Sequence, residues 1–137
     1  MAGKAKILVV DNDYDFVEVN RAVLENAGYE ISVAYSHKEG LERIRVIFPD
    51  LIVLDLMMEK HDSGFQFARD VKSDPAFKET PILMLTSVRE VTGVEFSQEL
   101  DGYWMRTDDF LEKPVSPERL LGKVEELLAR REKGTEN

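Results

Sequence analysis

Four places in this chain put reactive side chains directly after short strand-like runs, the first three of them apolar. Ile7-Leu8-Val9-Val10 leads into Asp11-Asn12-Asp13, Leu51-Ile52-Val53-Leu54 into Asp55, Pro81 to Leu85 into Thr86, and Asp109 to Glu112 into Lys113. A lone Asp after a strand is most simply a turn cap. Two aspartate endings side by side, however, make an acidic pocket. Carboxylates with no His or Cys among them suit a hard cation such as Mg²⁺, held by few protein oxygens and several waters. A hydroxyl and an ammonium opposite those carboxylates suit a phosphoryl group, whose oxygens need donors and positive charge.

The elements that must position these residues follow from periodicity. Residues 51 to 54 are apolar without alternation, and Pro49-Asp50 precedes them. That is the pattern of a central parallel strand covered on both faces. Its carboxyl end is where open α/β sheets place their ligand sites. Residues 5–10 form a first strand, and Asp13 to Ala27 a helix with Phe16, Val19, Val23 and Ala27 on one face, Leu24 beside them and Gly28 as a left-handed cap. Glu30 to Tyr35 alternates, which suits a strand nearer the sheet edge.

Ser36 with Glu39 is a capping box. It opens a helix whose inward face is Leu41, Ile44 and Phe48, and Pro49 stops it. A helix from about Gly64 to Ser73 turns Phe65, Ala68 and Val71 inward, and Asp74-Pro75 breaks it. Pro81 to Leu85 and Asp109 to Glu112 are strands. Between them, Val88 to Asp108 holds Gly93, Gly102 and Trp104 with little clean periodicity, and admits one short helix around Val91, Val94 and Leu100. Ser116-Pro117 caps a final helix with a stripe of Leu120, Leu121, Val124, Leu127 and Leu128. Five strands alternating with five helices predict an α/β fold, a parallel sheet covered on both faces.

At 137 residues the chain has the size of one domain, able to bury roughly 68% of its unfolded surface. We expect residues 1–131 to form it and 132–137 to be a polar, frayed tail. Eighteen Lys and Arg against 27 Asp and Glu give a net charge of −9, which repels phosphate backbones and argues against direct nucleic-acid binding. Arg130, Arg131 and Lys133 read as cations favoured at a helix C-terminus. There is no cysteine, so nothing ties the protein to an oxidising compartment. No apolar run approaches a signal or membrane segment, and the expectation is a cytoplasmic protein with no membrane contact.

Taken together, Ile7-Leu-Val-Val-Asp11, Gly28-Tyr29, Pro49-Asp-Leu-Ile-Val-Leu-Asp55-Leu-Met-Met58, Pro81-Ile-Leu-Met-Leu-Thr86 and Phe110-Leu-Glu-Lys113-Pro114 resemble a response-regulator receiver domain. The resemblance covers about residues 5 to 130. It implies a flavodoxin-like fold with strand order 2-1-3-4-5. It further implies that Asp55 accepts a phosphoryl group from a histidine kinase or histidine phosphotransfer protein. Asp11, Asn12, Asp55 and the Met57 backbone carbonyl would hold Mg²⁺, and Thr86 and Lys113 would grip the phosphoryl oxygens. Thr86 and Phe110 would be the switch pair, and Lys113-Pro114 the family's cis peptide. With no output domain after the final helix, the expected mode is a stand-alone receiver that signals by binding a downstream protein or itself.

Three departures stand against that pattern. Asn12 replaces the family's usual second metal-binding acid. The loop Glu59 to Gly64 lacks the usual proline, and the stretch between Thr86 and Lys113 is about five residues longer than usual, which points to it as the seat of partner specificity, with Tyr103 and Trp104 as candidate anchors. Met57 and Val88, two residues after Asp55 and Thr86, cannot orient an attacking water, so the acyl phosphate should hydrolyse slowly.

Two alternatives remain open on sequence. A degenerate receiver would keep the fold as an interaction platform without phosphorylation. A haloacid-dehalogenase-type phosphatase would use Asp11 as nucleophile, although Asp15 stands where that motif prefers Thr or Val. Phe110 taken alone reads as a core aromatic, His37 and His61 as surface residues, and Met57-Met58 as packing residues.

Overall fold

The chain forms five strands: β1 (Lys6–Val10), β2 (Glu30–Ala34), β3 (Leu51–Asp55), β4 (Ile82–Thr86) and β5 (Asp109–Glu112). The computed structural model describes residues 5–56, 64–86 and 109–135. Among these, four helices connect or follow the strands: α1 (Tyr14–Asn26), α2 (His37–Ile47), α3 (Gly64–Ser73) and α4 (Pro117–Thr135). All strand pairs are parallel, in the order β2-β1-β3-β4-β5. The sheet order and the covering of both faces agree with the sequence reading. The helix expected between Val88 and Asp108, and the residues Met57, Met58, His61, Val88, Tyr103 and Trp104, lie outside the described residues.

Period-two alternation divides the core into two layers. Leu8 and Val10 of β1, Ile52 and Leu54 of β3, and Ile82 and Met84 of β4 pack with Ile44, Phe67, Ala68 and Val71 of α2 and α3. Ile7 and Val9, Leu51 and Val53, and Leu83 and Leu85 pack with Val17 and Leu24 of α1 and with Leu120, Val124 and Leu127 of α4. Each of these Val, Leu, Ile, Met and Phe side chains contributes about 1.5–3 kcal/mol by leaving water. A one-residue slip of β3 would exchange its two faces and move Asp55 off the strand end.

Several inward faces differ from expectation. α1 buries Val17, Asn20 and Leu24, while Val19 is exposed. The polar Asn20 hides this stripe in the sequence; its Nδ2 donates to the Phe16 carbonyl one turn back, at 2.8 Å. α2 buries His37, Gly40 and Ile44, so His37 is not a surface residue. Phe48 is not on the inward face at all. It is the left-handed cap of α2, φ 53°, with its N–H donating to the Ile44 carbonyl, and its exposed ring lies 5.4 Å from Phe77. In α3, Phe67 is buried with Ala68 and Val71; the Phe65 side chain lies outside the described residues.

The caps behave as their residue types require. Asp13 accepts from Phe16 N–H at 3.1 Å, Ser36 from Glu39 N–H at 3.0 Å and Ser116 from Arg119 N–H at 3.2 Å. Gly28 takes φ 104°, the left-handed region that side chains rarely enter. The final helix continues to Thr135, past the point where a frayed tail was expected. No described helix is long and apolar enough to cross a membrane.

Candidate functional site

The carboxyl ends of β1, β3, β4 and β5 bring Asp11, Asp55, Thr86 and Lys113 to one edge of the sheet. Parallel pairing causes this. β3 stands between β1 and β4, so the ends of three neighbouring strands open on the same side. Asp11, Asp55 and Thr86 are all buried. Lys113 follows β5, and its backbone N–H donates to the Thr86 carbonyl at 2.8 Å. The Lys113–Pro114 peptide is cis.

Lys113 is the centre of the cluster. Its Nζ donates to Asp11 Oδ2 at 2.9 Å and to Asp55 Oδ2 at 3.4 Å. It also lies 4.5 Å from the centroid of the Phe16 ring, a cation–π contact. Phe16 looked like a core residue of α1 from its spacing; only the fold shows its ring beneath the ammonium. The other Asp11 oxygen accepts the Asp13 N–H at 2.9 Å.

These contacts set the charges. Burial raises the Asp11 carboxyl above its ordinary value, the Asp13 N–H and the Lys113 ammonium act against that, and the negative charge of Asp55 reinforces it. For Lys113, burial alone would favour loss of the proton. The hydrogen bond and charge of Asp11, with the charge and hydrogen bond of Asp55, outweigh burial and hold the ammonium above its ordinary value. The cluster is thus two carboxylates converging on one firmly protonated amine.

The remaining candidates take different places. The Thr86 hydroxyl is buried with no hydrogen-bond partner among the described residues, an expensive arrangement for a polar group that nothing engages. Asn12 is exposed at the rim. Asp13 spends its carboxylate on capping α1. Phe110 is 38% exposed on the edge strand rather than in the core. Beside the cluster, the exposed Tyr14 ring stacks on Tyr35 at 4.5 Å. Met57 lies outside the described residues.

Residues 7–125 match the response regulator receiver domain. The chain belongs to the response-regulator receiver family. It is 36% identical over 127 residues to the alkaline phosphatase synthesis transcriptional regulatory protein PhoP of Bacillus subtilis, a match covering 93% of this chain and 50% of PhoP. Among solved structures, a CheY-like response regulator receiver domain protein from Methanospirillum hungatei superposes with a TM-score of 0.82 at 26% identity, covering 96% of this chain and 99% of that one. The chemotaxis response regulator CheY4 of Vibrio cholerae superposes with a TM-score of 0.78 at 32% identity, covering 90% and 98%. The chain spans about half the length of the curated relatives it matches. This receiver therefore carries the phosphorylatable fold of two-component signalling, whose members interact with histidine kinases or phosphotransfer proteins.

Proposed function

We propose that Asp55 is the phosphoacceptor, that the donor is the phosphohistidine of a histidine kinase or histidine phosphotransfer protein, and that the phosphorylated receiver signals by binding a downstream protein or a second copy of itself. The observation that carries this reading is the convergence of Lys113 Nζ on Asp55 and Asp11 next to the unengaged hydroxyl of Thr86. In the reaction an Asp55 carboxylate oxygen bonds to phosphorus as the donor's N–P bond breaks. The imidazole leaves with its electron pair, and an acyl phosphate remains on Asp55. Lys113 faces the charge carried on the phosphoryl oxygens, and Thr86 Oγ1 supplies a hydrogen bond to one of them.

The donor set fits Mg²⁺. Asp11 and Asp55 already share one cation-sized position, filled by the Lys113 ammonium, and only oxygen ligands are involved. No third acidic, His or Cys residue completes a metal cluster among the described residues, so the Asn12 amide oxygen, the Met57 carbonyl and water would supply the rest. When bound, the metal would neutralise charge on the transferring phosphoryl group. Asp13 is held as a helix cap, which weighs against a phosphatase scheme that needs a second free carboxylate two residues after Asp11.

The test is incubation with Mg²⁺ and acetyl phosphate, followed by mass spectrometry of the hydroxylamine-sensitive phosphate. Label at Asp55 is expected, and Asp55→Asn should take none while keeping its fold. Label at Asp11 would favour the phosphatase reading. No label would favour a receiver that acts as a platform without phosphorylation.

A further inference from the structure

His37, the first residue of α2, is 3% exposed. Its ring lies 5.6 Å from that of Phe67, and its Nε2 is 3.2 Å from the main-chain carbonyl oxygen of Asp55. A carbonyl only accepts, so Nε2 is the nitrogen that carries the hydrogen. The direction of that carbonyl follows from the sheet. Ile52 and Leu56 send their N–H groups to Pro81 and Leu85 on the β4 side, at 3.0 and 2.9 Å. Strand alternation turns the Asp55 peptide the other way, toward β1.

There the ladder runs out. The β1–β3 register ends at Val10 opposite Leu54, and the Asp55 carbonyl lies beyond that last pair. His37 reaches over from the neighbouring helix and supplies a donor one residue beyond the paired strand. Its own place is fixed from two sides. Ser36 and Glu39 lock the start of α2, with Glu39 Oε1 accepting the Tyr35 N–H at 2.8 Å. Gly40, one turn on, leaves room for the Phe67 ring: a Cβ there would stand 2.9 Å from it.

We propose that His37 is a positioning residue for phosphorylation, holding the Asp55 peptide by its Nε2–H so that the carboxylate keeps its place against Lys113. The inference rests on Asp55 being the phosphoacceptor. The Asp55 side chain and carbonyl share one Cα. The Leu56 N–H of the same peptide holds it on the β4 side at 2.9 Å, so loss of the His37 bond leaves it held from one side. A tilt about that bond would shift the nucleophile relative to the ammonium 3.4 Å from it. Misplacement by about 1 Å can cost on the order of a hundredfold in rate.

The experiment compares wild type, His37→Phe and His37→Gln under saturating Mg²⁺, following label at Asp55 against acetyl phosphate concentration. Phe keeps a ring against Phe67 and loses the donor, whereas Gln keeps an N–H at similar reach. His37→Phe should lower the maximal rate by about tenfold, with half-saturation unchanged and a melting temperature close to wild type, and His37→Gln should regain most of the rate. In wild type labelled with ¹⁵N-histidine, the Nε2–H of His37 should exchange slowly, a readout independent of how the variants fold. A His37→Phe rate within twofold of wild type, equal losses in both variants, or a fast-exchanging Nε2–H would each overturn the role. Absence of label at Asp55 in wild type would overturn the phosphoacceptor assignment and this role with it; normal labelling of wild type and His37→Phe alike would overturn this role alone.

Discussion

Lys113 and Asp11 meet at 2.9 Å across 102 residues of sequence, and the same ammonium stands 3.4 Å from Asp55. One cation thus answers two buried carboxylates. Replacing Lys113 by Met keeps the alkyl stem over Phe16 and leaves both carboxylates without it. Taking the ammonium from buried carboxylates costs about 1–3 kcal/mol. The loss should be largest without divalent metal and smaller with millimolar Mg²⁺, which would bind the native state preferentially. Urea unfolding of Lys113→Met with and without Mg²⁺ checks this; a loss unaffected by the metal would count against a shared cation position.

Asn12 brings an amide where a carboxylate would add charge. Two unit charges about 4 Å apart interact by roughly 4 kcal/mol at an effective dielectric near 20, and desolvation offsets most of it. A residual of about 1.4 kcal/mol is tenfold in affinity. Because Asn12 is exposed, solvent screening makes tenfold the ceiling. Asn12→Asp should tighten Mg²⁺ by about three- to tenfold and speed labelling at low Mg²⁺. Equal affinities by titration would mean that water already supplies what the amide lacks.

The architecture was legible because β1, β3 and β4 are apolar runs ending in a reactive residue, β2 alternates, and Gly28, Ser36 and Ser116 mark helix ends by their own chemistry. The pocket was legible for the same reason: Asp11, Asp55, Thr86 and Lys113 are strand-end residues, and parallel pairing brings strand ends together. What escaped was everything set by tertiary packing. Asn20 sits in a buried stripe because its amide bonds to its own helix, which apolar periodicity cannot show. Phe16 reads as core until Lys113 is placed over it. His37 carries no metal or catalytic spacing; its only sequence signal is its place just after the Ser36 cap, at the edge where β3 ends.

Gly40 tests how tightly the support beneath Asp55 is packed. An added Cβ would lie 2.9 Å from the Phe67 ring and 3.1 Å from Val10, both buried. Alanine gains about 1 kcal/mol in helix propensity, while overpacking a well-filled core costs typically 1–3 kcal/mol. Gly40→Ala should therefore come out about 1 kcal/mol less stable. The Phe67 ring, forced to move, should also disturb His37. Thermal melts and labelling rates would report the two effects separately, and a stabilised Gly40→Ala would show that Phe67 yields without strain.

Lys123 ties α4 to the first residue of β5, its Nζ 2.9 Å from Asp109 Oδ2 and 3.3 Å from Glu126. The hydrogen bond to Asp109 is the main cause that lifts its pKa above the ordinary 10.5, against the opposing effect of burial. A raised value in the folded state means that the stabilisation is complete below pH 10.5 and is lost as pH climbs through the folded pKa. The two side chains are 22% and 26% exposed, so solvent limits the worth of the pair to about 0.5 kcal/mol. Lys123→Met should then be less stable than wild type by about that amount at pH 7–9, with the difference shrinking above about pH 10.5. Paired urea titrations across this range decide the matter: a gap that stays constant to pH 12 would assign the loss to packing of the lysine stem rather than to its charge.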